Sequence, residues 1–306
     1  MTGRRRILTS DRLRDHLSSF GDLPFSWRHP ASQLLFSDRL TFFLSETRTA
    51  GEILMGETAD GALFLPLPPP LLLRAEAAPS DRERLLRGLF GEMAAMGGRC
   101  PAPFLENCPL GSLPSGSFRI EPSEREYLVS VSSLLDPRGW AGRSFRWERN
   151  RFFRDHPSVR IRPVESGDDP FLRRFVRDFV RERTKGVTNT LESLMAEDMG
   201  RAFERAQGLW RTEEIEGWVL EEGGRILGLE WYGRLPGGET LVCLLEARDP
   251  GVSNLGGIMT RLVIETSGAG VRWVNLMGGS GIVGVERAKR ARPHHLVLPL
   301  FRVVPA

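Results

Sequence analysis

The chain has 306 residues, of which 41% are hydrophobic and 26% are charged, a composition typical of a soluble globular protein. This length is enough for two domains of ordinary size or one large domain. The formal net charge is only +3, so charge alone does not identify a partner. The basic residues are almost all arginine, which a GC-rich genome would explain.

Several classes of protein are excluded by missing patterns. Cys100, Cys108 and Cys243 have neither Cys-x-x-Cys nor His-paired spacing, so the sequence predicts no disulfide framework and no metal site. The basic N-terminus lacks the apolar stretch of a secretory signal. No apolar run reaches the roughly eighteen residues that a membrane-spanning helix needs. We therefore expect a cytoplasmic protein without a transmembrane segment.

The first half of the chain reads as short strands followed by one long helix. A capped amphipathic helix begins at Ser10. Strand-like apolar runs follow at residues 33–36, 40–44, 52–55 and 62–65. Residues 81–96 carry apolar side chains at helical spacing, and residues 97–116, rich in Gly, Pro, Asn and Ser, are expected to be irregular. Two more strands are predicted at residues 117–120 and 127–131.

Residues 137–164 combine basic and aromatic side chains. Eight arginines stand there against Glu148 and Asp155, with Trp and Phe residues between them. One interpretation is an amphipathic helix over residues 142–154 that buries its aromatic residues and exposes its arginines. The other is an anion-binding surface, which could take nucleic acid because arginines bind phosphate and exposed aromatic rings stack on bases.

The second half continues with two helices, a hairpin and a strand–loop–helix–strand unit. Helices are predicted from residue 170, with Phe171, Phe175 and Phe179 facing inward, and over residues 191–207. A hairpin at residues 216–232 turns at residues 222–224 and is followed by a strand at 241–245. A helix at 258–266 and a strand at 271–276 then form a crossover of the length that joins neighbouring parallel strands.

The loop between that strand and that helix resembles a phosphate-binding loop. Arg248, Gly251 and Ser253 have nearly the spacing of the pyrophosphate loop of GNAT acyltransferases, with Ser253 off the pattern and Pro250 lacking an amide donor. Helix N-termini bind anions through free N–H groups. We therefore predict phosphate binding by the set Arg248, Gly251, Ser253, Gly256 and Gly257. The alternative is that these glycines are turn residues.

Three segments together resemble the phosphatidylglycerol lysyltransferase C-terminal domain family: residues 127–135, residues 142–150, and residues 274–289 with Asn275 and Lys289. The resemblance implies an α/β (α+β) fold with two tandem GNAT-like units, each a mixed twisted sheet flanked by helices. We expect an N-terminal unit at 1–125 and a C-terminal unit with the active site at 126–306. It also implies transfer of an amino acid from aminoacyl-tRNA, which would be a co-substrate, with no bound cofactor.

The resemblance assigns roles to individual positions. It implies substrate binding by Arg149, Asn150 and Lys289, and the basic run that contains Lys289 adds Arg287 as a further predicted substrate-binding residue. Glu246 and Asn275 are the predicted catalytic residues, Glu246 as the proton acceptor and Asn275 as the group that fixes a substrate carbonyl or amine. The alternative interpretations are structural: Glu246 would form an ion pair, and Asn275 would cap a turn. The chain departs from the family where acidic residues usually follow the Asn, since residues 276–280 carry none.

Three functions remain open from the sequence. The first is an aminoacyl-tRNA-dependent transferase acting on a lipid, peptide or small-molecule acceptor; a lipid acceptor would require peripheral membrane binding. The second is a GNAT enzyme that uses acyl-coenzyme A on a small amine. The third is a binding protein that keeps the fold without catalysis, because a fold does not determine a function.

Overall fold

The fold is that of a computed structural model, which describes residues 10–18, 23–35, 40–58, 61–74, 77–97, 104–109, 117–185, 190–210, 215–252, 255–279, 282–292 and 295–306. The described helices are α1 Ser10–Ser18, α2 Pro30–Leu34, α3 Pro79–Gly97, α4 Val131–Leu135, α5 Gly139–Asp155, α6 Asp169–Thr184, α7 Thr190–Leu209, α8 Leu255–Ser267 and α9 Val283–Arg290. The described strands are β1 Leu40–Thr47, β2 Gly51–Thr58, β3 Leu63–Leu65, β4 Phe104–Cys108, β5 Phe118–Ser130, β6 Arg160–Pro163, β7 Glu216–Glu222, β8 Arg225–Arg234, β9 Thr240–Arg248, β10 Trp273–Gly278 and β11 His295–Pro305.

The chain divides into two compact units. The first contains residues 1–23, 27–126 and 298–306, and the second contains residues 24–26 and 127–297. The sequence analysis placed everything from residue 126 onward in one C-terminal unit. Residues 298–306 instead make their contacts within the first unit, because β11 pairs there with β4.

The first unit packs helix α3 on a mixed sheet. Its strand order is β1-β2-β3-β4-β11-β5, with β3 parallel to β4 and the other registered pairs antiparallel. The core is formed by the apolar face of α3 and by buried strand side chains. These residues include Leu86, Leu89, Phe90 and Met93 from α3, and Phe43, Ile53, Met55, Leu65 and Leu105 from the strands.

The second unit packs α8 and the inner face of α5 on a mixed sheet. Its strand order is β5-β10-β9-β8-β7-β6, with β10 parallel to β9 and antiparallel pairing from β9 through β6. The core includes Ile258, Met259 and Val263 of α8, Phe152 of α5, and Trp218, Leu220 and Val274 of the strands. The predicted strand–helix–strand crossover with parallel strands is therefore confirmed.

A glycine brings α8 close to β8. A β-carbon on Gly228 would lie 2.7 Å from the sulfur of Met259, so a larger residue there would push the helix away. Side chains on a strand alternate between its faces, so Glu230 lies on the same face of β8 as Gly228. The close approach of α8 therefore places the N-terminal turn of this helix above Glu230.

Most predicted elements are confirmed, and the exceptions have local causes. Residues 33–34 belong to α2 rather than to a strand, because Pro30 begins a helix and the His29 side chain caps it by accepting from the Ala31 amide at 3.2 Å. Strand β4 lies in the stretch expected to be irregular. The two strands predicted at 117–120 and 127–131 form one strand, β5, with Val131 starting α4.

The orientation predicted for α6 is wrong at its first aromatic residue. Phe171 is 67% exposed, whereas Leu172, Val176 and Phe179 are buried. The inward face runs through positions three or four residues apart starting at Leu172, so Phe171 falls beside it. The helix itself and its exposed arginines agree with the prediction.

Candidate active site

A group of polar side chains lies inside the second unit, where β8 pairs with β9. Glu230 on β8 is the register partner of Glu246 on β9, and Tyr232 is the partner of Cys243. Glu230, Tyr232 and Cys243 are buried, and the Cys243 thiol is free. Two carboxyl groups that face each other in a sheet interior are costly when both are ionised. The pair therefore requires a proton or compensating charge.

A β-bulge lies beside this carboxyl pair. Trp231 pairs with Leu245, but the next residue, Tyr232, pairs with Cys243, so Leu244 has no register partner on β8. Bulges change the direction of side chains and are frequent next to active sites. The bulge therefore sets the angle at which the residues on either side of it meet α8.

The hydrogen bonds of the pair indicate a shared proton. The Tyr232 hydroxyl donates to Glu230 Oε2 at 2.5 Å. Oxygens Glu230 Oε1 and Glu246 Oε1 are both buried, and no N–H or hydroxyl group of the described residues donates to either. Buried acceptors without a donor are unfavourable. One proton held between the two carboxyl groups gives both oxygens a partner.

Electrostatics place this proton on Glu230. Burial raises the pKa of Glu230 well above its ordinary value, and the charge of Glu246 raises it further. Burial also acts to raise the pKa of Glu246, but the charges of Arg248 and Arg292, a hydrogen bond from Glu230 and the charge of Lys289 outweigh it and lower that pKa. These opposite shifts favour the proton on Glu230 and the negative charge on Glu246.

Glu246 is the member of the pair that a substrate can reach. Its side chain is 26% exposed, whereas Glu230 is fully buried. Because Oε1 of Glu246 is buried, a ligand would have to contact this carboxylate through Oε2. Arg248 Nε lies 3.2 Å from Glu246 Oε1, and Arg292 Nε is buried without an acceptor among the described residues. The accessible side of the site thus combines one carboxylate with surplus positive charge.

Two glycines in the first turn of α8 make room for these charges. A β-carbon at Gly256 would lie 2.0 Å from Glu246 Oε1, 2.8 Å from Arg248 Nη1 and 3.0 Å from Arg292 Nη2. A β-carbon at Gly257 would lie 1.7 Å from Arg292 Nη1. The sequence analysis gave both glycines to phosphate binding, and that role stays a prediction. In the structure, the N-terminal turn of α8 lies against the protein's own Glu246 carboxylate.

Helix α5 brings the predicted Arg149 towards this turn. Phe145 of α5 would be 2.9 Å from a β-carbon at Gly257, so the inner face of α5 reaches the start of α8. Arg149 follows Phe145 by four residues and lies on the same face. Its Nη2 donates to Asn150 Oδ1 at 3.3 Å, and Asn150 itself is exposed. The structure therefore places Arg149 nearer the site than Asn150.

The predicted phosphate loop is engaged within the protein. The Gly251 amide donates to Asp249 Oδ1 at 2.8 Å, and the Val252 amide donates to the Asp249 carbonyl at 3.1 Å. Arg248 is paired with Glu246. Ser253 lies outside the described residues. Phosphate binding by Gly251 stays a prediction, and it would require this amide to release the Asp249 carboxylate.

The predicted residues of α9 are divided between the site and the surface. Lys289 Nζ donates to the carbonyl of Leu276 at 2.5 Å and to that of Gly278, which ties α9 to the end of β10. Its charge still lowers the pKa of Glu246. Arg287 is exposed on α9. Lys289 is therefore in a position to influence the carboxyl pair, and substrate binding by both residues stays a prediction.

Asn275 is occupied by backbone partners. It is fully buried on β10, its Nδ2 donates to the Pro24 carbonyl at 2.8 Å, and its Oδ1 accepts from the Met277 amide at 2.7 Å. These bonds support Met277, whose φ of 58° lies in the left-handed region. The geometry fits the turn-capping interpretation of Asn275, and we carry its catalytic role no further.

Sequence reasoning missed Glu230, Tyr232 and the central place of Arg292. A signal for the first two was present, since Glu230 interrupts an apolar strand and shares a face with Tyr232 two residues later. The partner of Glu230 could not be read from the sequence, because cross-strand register depends on the turn and the bulge. Arg292 follows α9, and nothing in its neighbourhood indicates a buried guanidinium.

Neither a family model nor a curated protein matches the sequence. Solved structures match it over nearly all of its length at low identity. A conserved protein of unknown function from Bacteroides thetaiotaomicron has a TM-score of 0.78 at 14% identity, and 100% of each chain is covered. FemX has a TM-score of 0.58 at 8% identity, covering 98% of this chain and 96% of FemX.

The C-terminal domain (DUF2156) of a putative lysylphosphatidylglycerol synthetase from Agrobacterium fabrum has a TM-score of 0.56 at 11% identity, covering 97% of this chain and 92% of that one. The resemblance inferred from the sequence motifs is thus confirmed as a likeness of fold, and so is the mixed α/β fold class. None of the described helices combines the length and apolar character that crossing a bilayer requires.

Proposed function

We propose that this protein is an acyltransferase that moves an aminoacyl group from aminoacyl-tRNA to an amine or hydroxyl acceptor on a lipid, peptide or small molecule. The observation that carries the proposal is the carboxyl pair, in which Glu246 is partly exposed beside Arg248 and Glu230 beneath it is fully buried, with pKa shifts that favour the charge on Glu246 and the proton on Glu230. Attack on an aminoacyl ester needs an acceptor for one proton, and the pair supplies it.

The reaction would use the site as follows. The acceptor nitrogen or oxygen attacks the ester carbonyl carbon, and Glu246 Oε2 takes the proton that the nucleophile loses as the new bond forms. The oxyanion that results is stabilised by the nearby guanidinium groups of Arg248 and Arg292. The bond to the ribose oxygen then breaks, and Glu246 returns the proton to that oxygen. A carboxylate of low pKa is a sufficient proton acceptor here, because the nucleophile becomes strongly acidic as its bond to the carbonyl carbon forms.

Glu230 would keep Glu246 ready for this exchange. Its proton satisfies Glu246 Oε1, so that Oε2 remains the free oxygen. Glu230 is held in turn by the Tyr232 hydroxyl. The second carboxyl of the site thus comes from β8, in a chain that lacks the acidic residues expected after Asn275.

The same geometry disfavours the acyl-coenzyme A alternative. A coenzyme A pyrophosphate needs free loop amides and a free cation. The Gly251 amide, however, donates a hydrogen bond to Asp249, and Arg248 is paired with Glu246. The likeness in fold to a putative lysylphosphatidylglycerol synthetase domain and to FemX supports the aminoacyl alternative.

The test is transfer of label from charged tRNA. A pool of tRNAs carrying radiolabelled amino acids is incubated with the protein and a protein-free cell extract that supplies lipids, peptides and small molecules. We expect label to move from tRNA into another compound, and Glu246→Gln to slow this at least about a hundredfold. The matched control is Glu239→Gln, immediately before β9. This change removes the charge of an exposed carboxylate that is paired with Arg272, and it should leave the rate unchanged.

Two results would overturn the proposal. If the wild type moves no label and binds acetyl-coenzyme A, the acyl-coenzyme A class is correct. If Glu246→Gln and the wild type behave alike in every transfer and binding measurement, the carboxyl pair has no catalytic role and the non-catalytic reading takes its place.

A further inference from the structure

The side of α5 that faces away from the core is basic and carries an exposed tryptophan. At about 100° per residue, the positions Arg143, Trp147, Asn150, Arg151 and Arg154 fall on one side of the helix, which we call the α5 outer face. All five are exposed, and Trp147 is 61% exposed. The opposite side carries Phe145 and Phe152, which are buried. The two faces therefore have different roles.

The tryptophan has a cation over its ring. The guanidinium carbon of Arg151 lies 5.6 Å from the centre of the Trp147 ring. Asp155 contacts Arg151 at 3.5 Å and Arg154 at 3.4 Å, and both of these ion pairs are exposed. Exposed ion pairs of this kind are weak and exchange readily with other anions. The face thus offers phosphate-binding cations next to a flat aromatic surface.

The outer face and the first turn of α8 lie on opposite sides of helix α5. Phe145 of the inner face packs beside Gly257 in the first turn of α8, next to Glu246 and Arg292. Arg149 lies on the inner side of α5, and Asn150 lies at the edge of the outer face that is nearest to Arg149. A ligand that follows α5 from its outer face towards Arg149 therefore arrives at the N-terminus of α8.

We propose that the α5 outer face binds the single-stranded 3′ segment of tRNA, with the arginines on its phosphates and Trp147 stacked on a base. This inference rests on the proposed function. Single-stranded nucleic acid is recognised by aromatic rings that stack on bases, set within a basic groove or surface. The unpaired end of the tRNA carries the ester, so a segment bound along this face would continue past Arg149 to reach Glu246.

A membrane surface fits this face less well. Helices that lie on membranes present a broad apolar side to the lipid. Among the described side chains of α5, the exposed aromatic ones are Trp147 and Phe153. They are six residues apart and point about 120° away from each other, and the exposed polar residues Arg143, Asn150, Arg151 and Arg154 share the side of Trp147. These described side chains do not form a broad apolar side.

The test compares tRNA binding by matched variants of the full chain. Binding of fluorescently labelled, uncharged tRNA is measured by anisotropy across a salt series. We expect Trp147→Ala to weaken binding about tenfold, as loss of one stacked base does, and Trp147→Phe to restore most of it. Arg154→Ala should reduce the slope of log affinity against log salt by about 0.7.

The matched controls lie on α6. Phe171→Ala removes a comparably exposed aromatic side chain beside arginines, and Arg174→Ala removes an exposed cation. Neither should change tRNA affinity. Thermal unfolding of each variant should match the wild type, because the changed side chains are exposed.

The outcomes separate the two proposals. If the wild type binds tRNA and Trp147→Ala weakens binding no more than Phe171→Ala, the surface is wrong while the proposed function stands. If the wild type binds no tRNA, both proposals fail. If anionic phospholipid vesicles bind instead and Trp147→Ala abolishes that binding, the face is a membrane contact and the RNA assignment is overturned.

Discussion

Glu92 in the first unit and the Glu230–Glu246 pair in the second show two ways of burying a glutamate. Glu92 on α3 accepts from the Arg48 amide at 2.8 Å and from the Thr49 amide at 2.9 Å, and it also accepts from the Thr49 hydroxyl. Both of its oxygens are thereby satisfied. These bonds lower its pKa even though partial burial acts to raise it. Glu92 fastens the turn between β1 and β2 to α3.

The Glu230–Glu246 pair is built in the opposite way. Each glutamate leaves its Oε1 without an N–H or hydroxyl donor among the described residues, and cations rather than amides compensate the charge. A carboxylate filled with backbone donors holds two elements together and has little capacity to exchange protons. A carboxylate that shares a proton with a second carboxyl retains that capacity. The difference supports the proposal that the chemistry takes place in the second unit.

The largest expected effect comes from filling the space beside the pair. Gly256→Ala places a methyl group against Glu246 Oε1 and the two arginines, so the charged ends of all three side chains must shift from their positions in the site. We expect at least about a hundredfold loss of transfer, since small displacements of reacting groups have such effects, with about 1–3 kcal/mol lost in unfolding free energy.

The control for this change is Gly91→Ala, next to Glu92. Its β-carbon would meet nothing within 4 Å in the interior of α3. Alanine there should raise the unfolding free energy by about 0.5–1 kcal/mol and leave transfer unchanged. Equal behaviour of the two alanine variants would mean that the space at Gly256 is not critical.

A second comparison separates the hydrogen-bonding and acid roles of Glu230. In Glu230→Gln the amide can donate to Glu246 while its oxygen accepts from Tyr232, so folding should be preserved. Glu230→Leu leaves both partners unsatisfied and should lower the unfolding free energy by about 1–3 kcal/mol. Chemical denaturation of both variants measures this. A leucine variant as stable as the glutamine variant would show that the pair's hydrogen bonds contribute nothing.

The raised pKa of Glu230 determines how the stability of the protein should change with pH. Because the pKa of Glu230 is raised above its ordinary value of 4.5, the folded state retains a proton that the unfolded state has lost. Stability of the wild type relative to Glu230→Gln should therefore fall as pH rises above about 4.5, by up to about 1.4 kcal/mol per pH unit. Denaturation at several pH values tests this, and a relative stability that rises with pH would contradict it.

The smallest expected effect is at the structural carboxylate. Glu92→Gln keeps the shape of the side chain but replaces one accepting oxygen with a donor group that faces backbone amides. We expect a loss of about 1 kcal/mol in unfolding free energy, because the site is partly exposed. Transfer should be unchanged. An activity loss like that of Glu246→Gln would remove the distinction between the two glutamate sites.

The sequence predicted the elements whose patterns are local. Helix α3, the β7–β8 hairpin and the β9–α8–β10 crossover follow from periodicity, caps and turn residues. Strand β4 was missed because its partner β11 lies near the other end of the chain. Its own residues, among glycines and prolines, carry too weak a signal to predict a strand.

The site was predictable to the same extent. Glu246 and Arg248 were found because a strand leading into a glycine-rich helix start is a local pattern. Glu230 was missed because its significance depends on cross-strand register and burial. The engagement of the Gly251 amide could have been foreseen, since Asp249 precedes it by two residues and Asp commonly bonds the backbone at that distance.

The central claim is that Glu230 holds a proton at neutral pH while Glu92 and Glu246 do not. Infrared spectroscopy measures this directly, since a carboxylic acid and a carboxylate absorb at different frequencies. We predict a carboxylic-acid C=O band in the wild type at pH 7 that disappears in Glu230→Gln and persists in Glu92→Gln. A wild-type spectrum without that band, or a band that survives in Glu230→Gln, would contradict the assignment.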